Sequence, residues 1–154
     1  MTQSIRLPIE TERLVIRPLR LEDAADLRQP EEWIGEKIDR FDRDGGMSLW
    51  AVVERESGRA VALAGLQYAS IDDRRELDLG CVVAPDAQRR GYATEASYAV
   101  LQAAFAAGYA RVTAMTRHDN ASARRVLDKL GLVYEHDTTW EERTYALYAM
   151  EAAP

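Results

Sequence analysis

The sequence contains little cysteine and no long hydrophobic run, and both absences exclude classes of protein. Only one of the 154 residues is cysteine, so no internal disulfide can form, which fits a reducing compartment. No apolar stretch approaches the roughly 18 residues that a membrane-spanning helix requires. Residues 1–8 lack the apolar core of a secretory signal. We therefore expect a cytoplasmic protein with no membrane partner.

Basic residues are in the minority, with 20 Lys and Arg against 26 Asp and Glu and a net charge of −6. An acidic chain is a poor general binder of nucleic acid, so we expect no nucleic-acid partner. The charge is uneven, because residues 81–130 carry seven basic and four acidic side chains, a local charge of +3. Such a stretch fits an anionic ligand held at one place, while the acidic remainder would attract a cationic substrate. Ordinary scatter of surface charge is the alternative.

The length and the 47% hydrophobic content predict one domain over residues 1–154, with a core of about 10–150. Hydrophobic periodicity and turn residues predict the order β-α-α-β-β-β-α-β-α-β-β, an α+β domain with a mixed sheet. The predicted strands are 14–16, 48–54, 60–68, 76–83, 112–116, 133–139 and 144–150. The predicted helices are 21–29, 31–43, an alanine-rich helix that ends at Ala107, and 120–130.

Residues 79–96 carry the most informative pattern: a strand, a loop with two arginines and a glycine, and the start of a helix. Unpaired N–H groups and the positive dipole end make a helix start an anion site. Gly91 removes a side chain where phosphate oxygens must approach, and Arg89 and Arg90 add positive charge. The segment is therefore interpreted as a phosphate cradle, and a solvated turn is the alternative. It lacks the glycine patterns of a P-loop or a dinucleotide fingerprint, which disfavours a kinase or a dehydrogenase.

The run Gln88-Arg89-Arg90-Gly91-Tyr92-Ala93 resembles the acetyl-coenzyme-A motif (Gln/Arg-x-x-Gly-x-Gly/Ala) of the GCN5-related N-acetyltransferases, the GNAT superfamily. Its continuation, Thr94-Glu95-Ala96, is similar to the branch that includes the ribosomal-protein N-terminal acetyltransferases RimJ and RimL. Residues 11–19 are similar to the opening strand of that branch. Asn120 and residues 125–132 are similar to its Asn…Arg-Val-Leu-Glu-Lys-Leu-Gly-Phe block. The resemblance runs from about residue 10 to residue 150.

The resemblance implies the GNAT fold, a mixed and mostly antiparallel sheet of about seven strands with about four helices. It also implies direct transfer of an acetyl group from acetyl-CoA to a primary amine in a ternary complex, with CoA as a product. The amine would belong to a protein N-terminus or to a small molecule, and the enzyme would be a monomer or a homodimer. The alternative in another functional class is a non-catalytic sensor or scaffold that binds acyl-CoA.

The resemblance further implies where the cofactor would bind. Backbone groups of Val82 and Val83 would bond the pantetheine arm, where the third strand of the central series parts from its neighbour. Asn120 would contact the pantetheine region, and Arg125 would lie near the adenosine phosphates. The amides from Arg89 to Thr94 would hold the pyrophosphate. The motif residues assigned to the cofactor are Gln88, Arg89, Arg90, Gly91, Tyr92, Ala93 and Thr94.

The catalytic acid is where the sequence departs from the branch. The branch usually has a serine six residues before the lysine of its last block, and that serine is assigned to protonate the leaving thiolate. Here the position is Ala123, and Ser122 comes one residue earlier. One residue on a helix turns a side chain by about 100°, so tyrosine becomes the leading alternative to Ser122. Tyr145 and Tyr148 in the last strand are the candidates, and packed aromatic side chains are the other interpretation of both.

Two acidic residues are candidates for the general base. Glu76 and Asp78 lie on one face of a predicted strand, and Asp78 aligns with a Glu of the branch, so it is the first choice. Solvated carboxylates on a polar strand face are the alternative. Cys81 lies on the opposite, apolar face and is predicted to be buried rather than nucleophilic. The two histidines, His118 and His136, show no ligand pattern, so no metal site is predicted.

Overall fold

The computed structural model describes residues 4–154, and within them eight strands form one sheet. The strands are β1 (Ile9–Glu10), β2 (Leu14–Arg17), β3 (Leu49–Glu54), β4 (Ala60–Ile71), β5 (Arg74–Val83), β6 (Arg111–Thr116), β7 (Val133–Trp140) and β8 (Arg143–Glu151). The helices of these residues are α1 (Asp23–Leu27), α2 (Glu31–Arg43), α3 (Tyr92–Ala106) and α4 (Ala121–Leu130), with a short 3₁₀ turn at Pro85–Ala87. The spatial order is β1-β2-β3-β4-β5-β6-β8-β7.

The structure confirms the predicted order of elements and adds one strand to the predicted seven. The added strand, β1, has two residues, which is too short for a pattern of alternation to be visible in a sequence. The β4–β5 hairpin is longer than predicted. Its strands continue to Asp72 and Asp73, whose φ angles of 53° and 62° form the tight turn that joins paired strands. Helix α1 is shorter than predicted, whereas α2 begins and ends at the predicted residues.

The helices cover both faces of the sheet because the strands alternate between two apolar faces. On one face, α1 and α2 pack through Leu27 and Ile34 against Leu49 and Ala51 of β3. On the other face, α3 packs against the core that contains Trp50, the β3 residue between Leu49 and Ala51. Fully buried alanines on α3, such as Ala96 and Ala104, let this helix lie close to the sheet. Within residues 4–154, none of the helices has the length and apolar character needed to cross a membrane.

The site is positioned by the single parallel contact of the sheet. All other neighbouring strands pair in an antiparallel manner, whereas β5 and β6 run parallel. In the described chain these two strands share one pair of facing residues, Asp78 and Thr113. Beyond Asp78 they diverge, so the carboxyl half of β5 has an open edge. Helix α3 begins at Tyr92, nine residues after the end of β5 at Val83.

Candidate active site

A cleft of about 660 Å³ occupies the gap between β5 and β6. Asp78, Gly80 and Val82 of β5 line it, together with Ala93 and Ser97 of α3. At its other end it is lined by side chains of α2 and of the β7–β8 turn, among them Trp33, Lys37, Trp140 and Tyr145. One end of the cleft is therefore close to the start of α3, and the other end has aromatic and charged walls.

The backbone of β5 has a free side along the cleft. The amide of Ala84 donates to the carbonyl oxygen of Val61 in β4 at 2.8 Å, so the backbone groups of Ala84 face β4. Because direction alternates along a strand, the N–H and C=O of Val83 face the open edge, and its carbonyl accepts from Nε2 of Gln88 at 3.4 Å. The same alternation turns the backbone of Val82 toward β4, while its side chain, 40% exposed, lines the cleft. Of the two predicted backbone partners, Val83 has the required orientation.

The start of α3 has the geometry of an anion site. The first intrahelical hydrogen bond runs from Glu95 N to Gly91 O at 3.1 Å, which leaves the preceding amides of the first turn without helical acceptors. Gly91 has φ of 79°, a left-handed conformation that is costly for other residues, and Arg89 also has a left-handed φ of 66°. Both residues are exposed. The amides of Tyr92, Ala93 and Thr94 therefore lie at the positive end of a 15-residue helix beside exposed arginines.

The side chain of Tyr92 anchors this loop. Tyr92 is 5% exposed, and its hydroxyl donates a short hydrogen bond to Glu54 of β3. Hydrogen bonds from Tyr92 and Ser57 lower the pKa of Glu54. The resulting carboxylate lies 3.7 Å from Nη1 of Arg90. The sequence indicated Tyr92 and Arg90 as ligand contacts, and in the structure both side chains also hold the loop against β3.

Glu95 connects the start of α3 to the start of β2. Its carboxylate accepts from Oγ1 of Thr11 at 2.6 Å, and from N and Nε of Arg13 at 3.1 Å and 2.7 Å. Partial burial would raise the pKa of Glu95, but these hydrogen bonds bring it below its usual range. Two of the sequence blocks that carry the family resemblance, residues 11–19 and 94–96, therefore meet in space. Their contact ties the first turn of α3 to the start of β2.

Asp78 is the cleft residue with the properties of a general base. Its Oδ1 accepts from Oγ1 of Thr113 at 2.7 Å. Burial raises the pKa of Asp78 to about 7, although the hydrogen bond from Thr113 opposes part of that effect. A carboxyl group with this pKa exchanges a proton near neutral pH, whereas a solvated aspartate does not. The desolvation of Asp78 argues against the alternative interpretation, a solvated carboxylate on a polar strand face.

Glu76, the second candidate base, has a structural role instead. It is 7% exposed and does not line the cleft. Its Oε2 lies 3.0 Å from Nε of Arg111, which also binds Glu135 at 2.8 Å. The carboxylate of Glu76 is thus committed to an ion pair that joins β5 to β6. Spacing along the strand could not distinguish it from Asp78, because the two share a face and differ only in their partners.

The two tyrosines that are candidates for the catalytic acid have different surroundings. Tyr148 is 2% exposed, does not line the cleft, and its hydroxyl accepts from Nε of Arg124 at 2.9 Å. Tyr145 lines the cleft and packs edge-on against Trp140. Residues three apart on a strand point to opposite faces, so only one of these tyrosines can face the site. The structure contradicts the choice of Tyr148 and leaves Tyr145 as the tyrosine of the cleft.

Helix α4 presents Ala123 to the cleft and Ser122 to solvent. Asn120 also lines the cleft, and its Oδ1 accepts from Ala123 N at 3.1 Å, which caps the helix. Arg125 is exposed and lies outside the cleft. Ser122 is therefore not a candidate acid, because the one-residue offset turns its hydroxyl away. Asn120 caps α4 and lines the cleft, and its contact with the pantetheine region stays a prediction.

Cys81 lines the cleft, but its thiol is unsuited to nucleophilic chemistry. Burial raises its pKa to about 11, although a hydrogen bond with Ser97 lowers it slightly, so the thiol is protonated at neutral pH. Cys81 is half-buried rather than fully buried as predicted, and its raised pKa is consistent with the expectation that it is not a nucleophile. Across residues 4–154 no group of three or more His, Cys, Asp or Glu side chains has the arrangement of a metal site.

Lys37 is a residue of the cleft that sequence reasoning missed. It is 9% exposed and lies in α2 on the stripe formed by Trp33, Ile34 and Ile38. The signal was present in the sequence, since Lys37 is three residues after Ile34 and four after Trp33, which places it on the apolar face. A lysine at such a position is either directed outward or has a function in the interior.

Three comparisons agree with this architecture. Residues 13–133 match the family model of the acetyltransferase (GNAT) domain. The chain is similar to the uncharacterized N-acetyltransferase YjdG of Bacillus subtilis (strain 168), at 26% identity over 92 residues, 59% of this chain and 54% of the relative. It thus spans about half the length of that relative.

The fold is similar to those of solved acetyltransferases. A putative GnaT-family acetyltransferase from Bordetella pertussis superposes with a TM-score of 0.79 at 22% identity, covering 94% of this chain and 99% of that one. RimJ from Mycobacterium smegmatis, solved in complex with CoA-disulfide, superposes with a TM-score of 0.72 at 21% identity, covering 96% and 85%. These structures share the fold, and the family model covers most of the chain. The protein is therefore a member of the GNAT family of acetyltransferases, whose acetyl donor is acetyl-CoA.

Proposed function

We propose that this protein transfers an acetyl group from acetyl-CoA directly to a primary amine in a ternary complex, within one domain over residues 1–154. The observation that carries the proposal is the carboxyl group of Asp78, held with a pKa of about 7 where β5 and β6 part. Acetyl-CoA supplies the acetyl group as an activated thioester and leaves as the CoA thiol. The chain's own residues supply binding, orientation and proton transfer.

The residues at the start of α3 fit the pyrophosphate of this cofactor. The first-turn amides of Tyr92, Ala93 and Thr94 lack helical acceptors, and Gly91 holds the left-handed turn that exposes them. Arg89 is exposed beside them and adds positive charge. Val83 has its backbone groups on the open edge of β5, where an extended arm of amides could pair as an added strand does. Asn120 lines the same cleft.

Asp78 is proposed as the general base. An acceptor amine is largely protonated at neutral pH and cannot attack until it loses a proton. A carboxylate whose pKa is about 7 accepts that proton far better than an ordinary aspartate does. Thr113 holds Oδ1 of Asp78 and thereby orients the carboxyl group within the cleft.

Tyr145 is proposed as the acid that donates a proton to the leaving sulfur. It is the last-strand tyrosine that lines the cleft, whereas the hydroxyl of Tyr148 is occupied by Arg124. Ala123 lines the cleft at the position where the branch has serine, so a hydroxyl from another element has to replace it. A covalent acetyl-enzyme is not part of the proposal, because burial keeps the Cys81 thiol protonated.

The test is the release of free thiol from acetyl-CoA in the presence of an acceptor panel. The panel comprises peptides with varied N-termini, polyamines, aminoglycosides and free amino acids, and mass spectrometry identifies any acetylated product. Peptides are included because the sequence resembles the branch that contains the ribosomal-protein N-terminal acetyltransferases RimJ and RimL, and because RimJ shares the fold. We expect thiol release that depends on both acetyl-CoA and an amine.

A non-catalytic binder of acyl-CoA is the second candidate, and Ala123 in the place of serine is the observation that favours it. Isothermal titration calorimetry with CoA separates the two functions. Binding of CoA without turnover of any amine would favour the sensor or scaffold. Absence of CoA binding at millimolar concentration would reject both candidates.

A further inference from the structure

The end of the cleft lined by α2 and the β7–β8 turn contains the buried ammonium group of Lys37, whose charge is only partly balanced by nearby carboxylates. The Lys37 side chain is 10% exposed, and its Nζ donates to the neutral Oε1 of Gln67 at 3.2 Å. The ring of Trp33 lies 5.1 Å away. Burial lowers the pKa of Lys37, as expected for an ammonium group that has lost hydration. Nothing in the proposed acetyl transfer requires a cation here.

A second cation of α2 lies beside Lys37. Arg40 also lines the cleft, and its Nε is buried without a hydrogen-bond partner, a condition not found for any other side-chain nitrogen or oxygen of residues 4–154. The carboxylate of Glu36 serves both cations, at 3.9 Å from Lys37 Nζ and 3.3 Å from Arg40 Nη2, but it is 56% exposed. Glu141, exposed on the β7–β8 turn, acts on Lys37 electrostatically. Among the described residues, Glu36 is the carboxylate within ion-pair distance of these two cations, whereas Glu141, which also lines the cleft, acts at longer range. The α2 wall of the cleft therefore retains capacity for an anion.

The ammonium group and the proposed base lie on either side of one glutamine. Gln67 of β4 and Asp78 of β5 face each other in the sheet register, and directly opposed side chains share a face with Cβ atoms about 5 Å apart. Lys37 Nζ bonds to the Gln67 side chain. A ligand whose amine faces Asp78 can therefore reach Lys37 with a group only a few bonds from that amine.

We propose that the acceptor is an amino carboxylate, whose amine faces Asp78 and whose carboxylate is bound by Lys37 with support from Arg40. This inference rests on the proposed acetyl transfer and narrows its acceptor. The chemistry is that of a free amino acid, in which amine and carboxylate are separated by one carbon. A peptide N-terminus has a neutral amide at that place and leaves the ammonium group of Lys37 without an anion. The aromatic walls, Trp33 and Trp140, accept the hydrocarbon part of the acceptor.

The test compares acceptors that differ only in the anionic group. Free amino acids, their carboxamides and dipeptides that begin with the same residue are assayed for thiol release with the protein of residues 1–154. We expect kcat/KM for the preferred amino acid to exceed that of its carboxamide by about tenfold or more, equivalent to about 1.4 kcal/mol. In Lys37→Met the ratio should fall to near one, whereas Lys37→Arg should retain much of it because the charge is kept.

Lys129→Met is the matched control, because Lys129 is the other lysine of the sequence and lies exposed on α4 outside the cleft. It should leave the ratio unchanged. Thermal unfolding establishes that each variant is folded. The proposal is overturned if the wild type shows no preference for the carboxylate, if Lys37→Met keeps the preference, or if dipeptides are better acceptors than amino acids.

A failure of the proposed acetyl transfer can be distinguished from a failure of the proposed carboxylate site. If no amine is acetylated, calorimetry of the CoA-loaded protein with the same amino acids and carboxamides replaces the rate measurement. Binding of amino acids that is lost in Lys37→Met would then support a carboxylate site without catalysis. The carboxylate site would be refuted if amino acids and their carboxamides bound equally well, or if neither bound.

Discussion

Replacing Asp78 by asparagine tests the proposed base and its environment together. Asparagine has nearly the same shape and can still accept the hydrogen bond from Thr113, which in the wild type is 2.7 Å long. It cannot accept a proton from an amine. We therefore expect CoA binding to be unchanged and turnover to fall by about 10²–10⁴-fold, the range for loss of a general base. In the wild type, kcat/KM should rise with pH and level off above about pH 7, and the variant should lack this ionisation.

The same substitution has a calculable effect on stability. The pKa of Asp78 is raised from 3.8 to about 7 in the folded protein, so the folded state holds this proton more tightly than the unfolded state does. The contribution of Asp78 to stability therefore decreases as pH rises between these values and is constant below about pH 4. The interval corresponds to about 4 kcal/mol at about 1.4 kcal/mol per pH unit. Asparagine does not ionise, so its contribution to stability does not change over this pH range.

Urea unfolding of both proteins at several values between pH 4 and pH 8 measures this effect. The free energy of unfolding of Asp78→Asn minus that of the wild type should increase by about 4 kcal/mol over this range. Taking the difference removes the contributions of the other carboxyl groups. A difference that stays constant with pH would show that Asp78 is not desolvated, and it would refute the argument for the base as well.

Glu76→Gln is the control for this experiment, because Glu76 lies on the same strand face but binds Arg111 at 3.0 Å instead of lining the cleft. It should lower stability, since Arg111 keeps only its other partners. It should move the pH–rate profile to somewhat lower pH, because the charge of Glu76 helps to raise the pKa of Asp78, but the ionisation itself should remain. A loss of turnover as large as that of Asp78→Asn would reverse the assignment of the two carboxylates.

Three further substitutions test other parts of the site. Gly91→Glu should raise the calorimetric Kd for CoA at least about tenfold, because it places a bulky anion in a left-handed turn beside the pyrophosphate; an unchanged Kd would contradict the cradle. Glu95→Gln should lower the free energy of unfolding by about 1–2 kcal/mol in urea titrations, because its charged hydrogen bonds to Arg13 are weakened; unaltered stability would contradict the proposed connection. Tyr145→Phe should lower kcat by about 10²-fold without affecting CoA binding, and unchanged kcat would exclude it as the acid.

The parts of the fold that were predicted are those whose signals are local. Hydrophobic periodicity and helix-breaking residues defined α2 to the residue. The motif around Gly91 indicated a loop before the start of a helix, and the structure shows that Gly91 is left-handed there. The family resemblance added the fold and the cofactor. Strand β1 and the full length of the β4–β5 hairpin were missed, because pairing with a neighbouring strand, rather than local pattern, defines those ends.

Within the site, the sequence by itself determined the types of residue available: two carboxylates on one strand face, two tyrosines in one strand, and a serine displaced by one position on a helix. Only the tertiary structure decided among them. Arg111 binds Glu76 and Arg124 binds Tyr148, whereas Asp78 and Tyr145 face the cleft. Burial and partners set the pKa and the accessibility of a side chain, and both arise from residues far away in the chain. For the same reason Lys37 was visible as a break in an apolar stripe, but the carboxylate site proposed for it depends on Gln67 and Asp78, which only the sheet brings beside it.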